Sequence, residues 1–343
     1  MVEKKQAHAP SASLSPGDVP AIGQIEAWPE QQRHGNSVFP ALCRSDAGER
    51  RAADVISWVE AKKDDLLQQA YQHGAILFRG FGIKDLETFD AFVSAFHLPC
   101  FTYEDSLSNA VRINHTDRIF SANEAPPQVD INLHHEMAQT PMYPRRLFFF
   151  CKKAARSGGA TSLCRSDVLW ERLQKEAPGF AKTCQEKGFR YTHTMPGQED
   201  AESGMGRSWR STFNADTREA AEIRLRELRY ESEWLPNDCL RVTSPRLSAI
   251  RELKDGRISF FNQLIAAYSG WRDHRNDPGK SLTFGDGSLL DTEGADTAVR
   301  IGEELAFDLP WETGDVALID NFVTMHGRRT FEGQRSVLAS FTT

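Results

Sequence analysis

The chain has no apolar run approaching the roughly 18–20 residues that a membrane-spanning helix needs. Its first 20 residues, Met1 to Pro20, are polar and rich in Pro and Ser, and they lack the apolar stretch of a secretory signal. They also contain no arginine, which weighs against an organellar transit segment. Residues 1–20 therefore read as a disordered arm, and the chain is expected in the cytoplasm. Positive charge is in deficit, with 41 Lys and Arg against 48 Asp and Glu, a net −7. That balance argues against nucleic acid or an anionic membrane surface as a partner. Cysteine is sparse and scattered at Cys43, Cys100, Cys151, Cys164, Cys184 and Cys239, with no C-x-x-C pair. A disulfide framework and a thiolate zinc site are thereby disfavoured, and small buried hydrophobes are expected. There is no G-x-G-x-x-G after an early strand and no G-x-x-x-x-G-K-[ST], so a doubly wound nucleotide-binding fold is not expected.

What is present is enough apolar material, 40% of 343 residues, for a large core. No internal repeat or Gly/Ser-rich linker divides the chain. Val55, Trp58, Val59 and Leu66 recur at helical spacing and predict a helix over 51–73. Ala75 to Gly80 reads as a short buried strand, and Phe89, Phe92, Val93 and Phe96 mark a second helix. A further helical pattern spans 167–186. Strands are predicted at 147–151, 161–164, 189–193, 257–261, 316–319 and 336–341. The expectation is a mainly β sandwich or barrel with flanking helices. Residues 21–343 read as one domain, its N-terminal part helical, with insertions or loops at about 196–240 and 271–297.

Ten histidines make chance pairings easy, yet one group stands out: His134 and Glu136, two apart, with His326 far along the chain. Residues i and i+2 of a strand share a face, so His134 and Glu136 would project together and His135 away. His135 is expected to pack or to support the ligands. Two imidazoles and a carboxylate suit Fe(II) and leave three coordination positions open. The same trio could hold zinc and a water, as in a hydrolase. However, the H-E-x-x-H helix usual for such enzymes is absent.

The residues around the trio sharpen this reading. The stretches Ser121 to Pro127 and Leu133 to Gln139 resemble the taurine dioxygenase / clavaminate synthase-like superfamily, as do Pro144 to Cys151 and Gly158 to Thr161. Gly206 to Phe213, Trp271 to Pro278, Phe284 to Gly287 and Asp315 to Asn321 followed by His326 are similar to its plant and bacterial clavaminate synthase-like branch. The resemblance runs from about residue 70 to the C-terminus. It implies a double-stranded β-helix, or jelly roll, and an oxygenase using Fe(II), 2-oxoglutarate and O2. It implies His134, Glu136 and His326 as metal ligands. It also implies that Thr161 and an arginine beyond His326 bind the far carboxylate of 2-oxoglutarate. Of Arg328, Arg329 and Arg335, the last opens the final predicted strand and is the choice. A guanidinium fork also matches a carboxylate in two-pronged fashion. Arg328 and Arg329 are expected in a loop, solvated or touching substrate.

Two departures from the family narrow the chemistry. Taurine dioxygenase carries a second arginine, for its sulfonate, four residues after the first, and that position is Ala339 here. Related halogenases replace the carboxylate ligand by a small residue, whereas Glu136 is present. The expected activity is hydroxylation of an unactivated C–H bond in a small amino-acid-like or acidic substrate, free or carrier-tethered, with release of succinate and CO2. Alternatives are a non-catalytic jelly roll that binds metal and 2-oxoglutarate, and a zinc hydrolase. Candidate substrate contacts are Asn123, Glu124, Arg207, Asn262 and Gln263, with Arg207 favoured for an acidic group. Arg79, Trp209 and Trp271 are expected to be structural.

Overall fold

The computed structural model describes residues 22–23, 31–45, 52–123 and 125–343. The expected arm at 1–20 and the candidate Glu124 lie outside the described residues.

Two sheets face one another. The major sheet has seven strands, in the order Ile22–Gly23, Ala41–Arg44, Ala75–Arg79, Val316–Asp320, Arg146–Lys153, Ser336–Thr342 and Phe120–Ser121. Its pairs are antiparallel apart from Ala41–Arg44 beside Ala75–Arg79. The minor sheet has four strands, Phe307–Leu309, Thr161–Arg165, Thr324–Arg328 and Ile131–His134. This is the mainly β, helix-flanked jelly roll that the sequence predicts.

Strand alternation explains why the major sheet reads as continuous apolar runs. Ala75, Leu77, Leu147, Phe149, Ala317 and Ile319 face inward, toward the minor sheet. Ile76, Phe78, Phe148, Phe150, Val316 and Leu318 face outward, against the helices Ala52–His73 and Leu86–Ser94. A sheet covered on both faces has no reason to place polar residues at alternate positions. The second helix starts in a capping box: Asp85 accepts from the Thr88 amide at 2.8 Å, and the Thr88 hydroxyl accepts from the Asp85 amide.

The outer face of the minor sheet meets a third body of structure. Leu133, Cys164 and Met325 pack there with Leu169, Trp170, Phe260 and Ile301. The predicted helix at 167–186 is in fact two, Ser166–Glu176 and Pro178–Lys187. Pro178 stands in the first turn of the second, where its missing N–H costs nothing, and the chain breaks at Ala177.

The stretches read as insertions or loops are more ordered than expected. Residues 196–240 hold the helices Trp209–Phe213 and Arg218–Glu227 and the strand Glu231–Leu235. That strand forms a hairpin with Cys239–Thr243 and joins a sheet through Phe189–Met195. Within 271–297 begins the helix Thr292–Glu304, capped by the Asp291 side chain. Its buried face is Gly294, Ala295, Ala298, Ile301 and Gly302. Size matters there: a Cβ on Gly294 would stand 2.2 Å from the Phe180 ring. The predicted strand at 257–261 shrinks to Ile258–Ser259.

Phe148 is fully buried beneath Phe96, with ring centroids 5.1 Å apart. Phe148→Ala should destabilise the chain by about 3–5 kcal/mol, seen as a lower urea midpoint with an unchanged slope.

Candidate metal centre

Register in the minor sheet assembles the site. Leu163 pairs with His326, and His326 pairs with His134. Directly paired residues share a sheet face, so the two imidazoles stand side by side, with ring centroids 4.3 Å apart. Leu133 and Met325, one residue before each, point to the outer core. Thr161, two residues from Leu163, returns to the inner face. Gly327 lets the strands close, since a Cβ there would meet the Ile131 carbonyl at 2.4 Å.

Glu136 joins the histidines by a different route from the one expected. The strand ends at His134, so alternation does not carry Glu136 onto its face. A turn folds it back instead. Met137 closes that turn at φ 57°, a left-handed conformation costing a non-glycine residue roughly 1–2 kcal/mol. Asn321 holds the turn in place. Its Oδ1 accepts from the Glu136 amide at 2.8 Å, and its Nδ2 donates to the carbonyls of Glu136 and Pro144. The Asn321 carbonyl accepts from His135 Nδ1, so that ring turns away from the site and packs on Phe261.

Ligand atoms of His134, Glu136 and His326 all lie within 4.8 Å of one another. His134 Nδ1 donates to the Asn132 carbonyl at 2.8 Å, which leaves Nε2 as the lone-pair nitrogen. His326 Nε2 stands 3.5 Å from Glu136 Oε2. Burial, then the neighbouring His326, pushes His134 down to about 4, so it is neutral at pH 7. Burial alone would raise the Glu136 carboxyl, but Arg112 and His326 draw it down to about 2. Two imidazoles and one ionised carboxylate in this arrangement fit a borderline divalent metal such as Fe(II).

A cavity of about 130 Å³ opens on these three residues, far above the roughly 10–15 Å³ that one water needs. Thr161 and Arg335 line it too. Thr161 Oγ1 accepts from Trp311 Nε1 at 2.9 Å, so its own proton is free to point elsewhere. Arg335 Nε donates to the Gly159 carbonyl at 2.9 Å, which fixes the guanidinium and leaves its terminal nitrogens without a partner among the described residues. Burial, then the nearby Arg328, lowers Arg335 to about 10, still a cation at pH 7. A half-buried cation fixed by one backbone carbonyl and open at its tip fits a carboxylate.

Other expectations are corrected. Arg207 does not line the cavity. It is 1% exposed, and its donors go to Ser106 and to the hydroxyl and carbonyl of Ser211. Tyr103 lies 4.0 Å under its guanidinium, so it pins two loops together. Asn262 is likewise consumed, donating to the Ala249 carbonyl and capping the Leu264 amide. Asn123 does line the cavity, although its Oδ1 accepts from the Ala125 amide. Gln263 lines it as well, with Nε2 on the His135 carbonyl. Arg328 is no solvated loop residue. It ends its strand, 6% exposed, and donates to the carbonyls of Asn123, Ala125, Pro126 and Val129. Arg329 pairs with Asp308 and Glu303. Arg79 is structural as expected, held by Asp315.

Sequence reasoning missed Arg112, whose Nη2 lies 3.1 Å from both oxygens of Glu136. It sits in irregular backbone between the second helix and Phe120, where no periodicity announces a side chain's direction.

A jelly roll with two histidines and a carboxylate on its inner face, beside a carboxylate-sized cationic pocket, has the architecture of the 2-oxoglutarate-dependent iron oxygenases. The family model for the taurine catabolism dioxygenase TauD, TfdA family matches residues 44–341, and the chain belongs to that family. It is accordingly an enzyme, an Fe(II)- and 2-oxoglutarate-dependent dioxygenase. The chain is 35% identical to a clavaminate synthase-like protein of Arabidopsis thaliana, over 91% of its own length and 96% of the relative's. It is 27% identical to the dapdiamide synthesis protein DdaC of Enterobacter agglomerans, over 80% and 82%. Among solved structures, it superposes on PvcB, described as an Fe, alpha-ketoglutarate dependent oxygenase from an isonitrile synthetic pathway. The TM-score is 0.51 at 13% identity, covering 98% of this chain and 95% of that one. PvcB from Pseudomonas aeruginosa gives 0.50 at 13% identity, covering 89% and 86%.

Asn321→Ala removes the side-chain bonds to the Glu136 backbone that hold its turn. Its affinity for Mn(II) or Fe(II), followed by titration, should fall about 10–100-fold, the range seen when partners that orient metal ligands are lost.

Proposed function

We propose that the enzyme hydroxylates an unactivated C–H bond of a small, amino-acid-like or acidic molecule, free or carrier-tethered, in the cytoplasm. The observation that carries this reading is the convergence of His134, Glu136 and His326 on the cavity that Thr161 and Arg335 also line. His134 and His326 would bind Fe(II) through Nε2, and Glu136 through its carboxylate. The Thr161 hydroxyl and the Arg335 guanidinium would hold the far carboxylate of 2-oxoglutarate. When bound, iron and 2-oxoglutarate together supply oxygen activation, with release of succinate and CO2.

The chain's own task is placement. Burial keeps His134 neutral, and the Asn132 carbonyl, accepting from Nδ1, keeps its ring correctly turned. Glu136 stays ionised beside Arg112. Arg335 keeps its reach because the Gly159 carbonyl holds its Nε. Inward-facing Phe149 and Val337 close the cavity with apolar surface, which limits water near the reacting carbon. No helix among the described residues is long and apolar enough to cross a membrane.

Purified enzyme with Fe(II) and O2 should convert 2-oxoglutarate to succinate and CO2 in equal amounts, faster with substrate. His326→Ala should abolish this, and full retained turnover would point to another ligand. Arg335→Gln should weaken 2-oxoglutarate binding by about 10–100-fold, as expected for a lost charge-assisted pair, while Fe(II) affinity changes far less. The anaerobic metal-to-ligand charge-transfer band measures both.

A further inference from the structure

We infer that Arg112, with Asn109 and Gln139, is the receptor for the substrate's own carboxylate and an adjacent N–H group. The inference rests on the oxygenase reading above and assigns a substrate class to the same cavity.

All three residues line the cavity together with His134 and Glu136. Each carries a buried polar atom with no partner among the described residues: Arg112 Nε, Asn109 Nδ2 and Gln139 Oε1. Buried polar atoms are ordinarily paired, so three unpaired ones on one cavity call for an occupant. Two are donors and one is an acceptor. A carboxylate offers acceptors to Arg112 and Asn109, and an amine or amide N–H suits Gln139. Arg112 is held rigidly for such a task. Its side chain is 5% exposed, its guanidinium lies 5.3 Å from the Phe120 ring centroid and 5.0 Å from that of Phe341, and Nη2 rests on Glu136. Stacked between rings and tethered at one nitrogen, it has little freedom left to lose when a ligand binds.

Arg207, the arginine that sequence reading favours for this role, has its donors occupied elsewhere.

The test compares N-acetyl-L-alanine with N-acetyl-L-alaninamide, which differ in the carboxylate alone. Each is titrated anaerobically into enzyme saturated with Fe(II) and 2-oxoglutarate, and perturbation of the charge-transfer band is read. Absence of the band itself would count against the oxygenase reading. With the band formed, the acid should bind about tenfold or more tighter than the amide. Arg112→Gln should bring the two to near parity, and Arg112→Lys should keep part of the preference. Equal binding of acid and amide by the wild-type enzyme, or no perturbation by either, overturns the inference. So does an acid preference that survives intact in Arg112→Gln. The wild-type pair decides the matter even if the glutamine variant does not fold.

Discussion

The site depends on one buried side-chain amide. Asn321 stands where the chain leaves the major sheet at Asp320 and turns toward the minor sheet at Thr324. From that corner it bonds the Glu136 amide, the Glu136 and Pro144 carbonyls and, through its own carbonyl, His135. One residue thus ties the strand that follows it, carrying His326, to the turn that carries Glu136. An apolar side chain of the same size would leave buried peptide groups at Glu136 and Pro144 unpaired, each costing about 1–3 kcal/mol. The Glu136 carboxylate is therefore placed by tertiary hydrogen bonds, whereas the histidines are placed by sheet register.

Buried charge divides the molecule into a closed part and an open part. Outside the cavity, buried arginines meet buried carboxylates: Arg79 with Asp315, Arg146 with Asp320, and Arg165 with Asp167. Such pairs add little net stability, because desolvation offsets attraction, but they fix orientation and are costly to break singly. Two of them sit at the ends of the strand Val316–Asp320 and hold it against its neighbours. Around the cavity the pattern changes. Arg328 donates to four backbone carbonyls. Arg335 is satisfied at one nitrogen only. The closed pairs build a rigid frame, and the open end of Arg335 is where the proposed 2-oxoglutarate would complete it.

The legible parts of the sequence were those governed by simple periods. Ala75 to Phe78, Leu147 to Phe150 and Val316 to Ile319 read as strands because they are apolar on both faces. The inner-face candidates His134 and His326 were legible too, but Glu136 reaches its place beside them through a turn rather than through the alternation expected of it. Helix Thr292–Glu304 does carry an apolar face at helical spacing, and it was missed because the Gly- and Asp-rich stretch before it made the whole segment read as a loop. Arg207, Asn262 and Arg328 were misjudged for a common reason. A polar residue in a shared motif reports that its position matters, not whether its donors face a ligand or a carbonyl. Arg112 left no signal at all, since irregular backbone has no period to read.

The position of Ala339 connects these observations. The family resemblance puts a second arginine there in the sulfonate-binding enzyme, on the inner face of the last strand. Here Ala339 is fully buried, faces the inner core and pairs in register with Phe120. Phe120 and Phe341 are the two rings against which the Arg112 guanidinium stacks. Phe341 follows Ala339 by two residues and so shares its face. A methyl group at 339 keeps this region of the inner face uncrowded, and the cation beside it arrives from the irregular segment before Phe120 instead of from the strand. The change of supplier has a physical consequence. A cation on the strand, four residues from Arg335, would be fixed relative to the 2-oxoglutarate end of the cavity, whereas Arg112 is fixed relative to Glu136 and the metal. The acid-binding point proposed at Arg112 would thereby be measured from the proposed metal centre, which is the reference that sets which carbon of a bound substrate is brought within reach of oxidation.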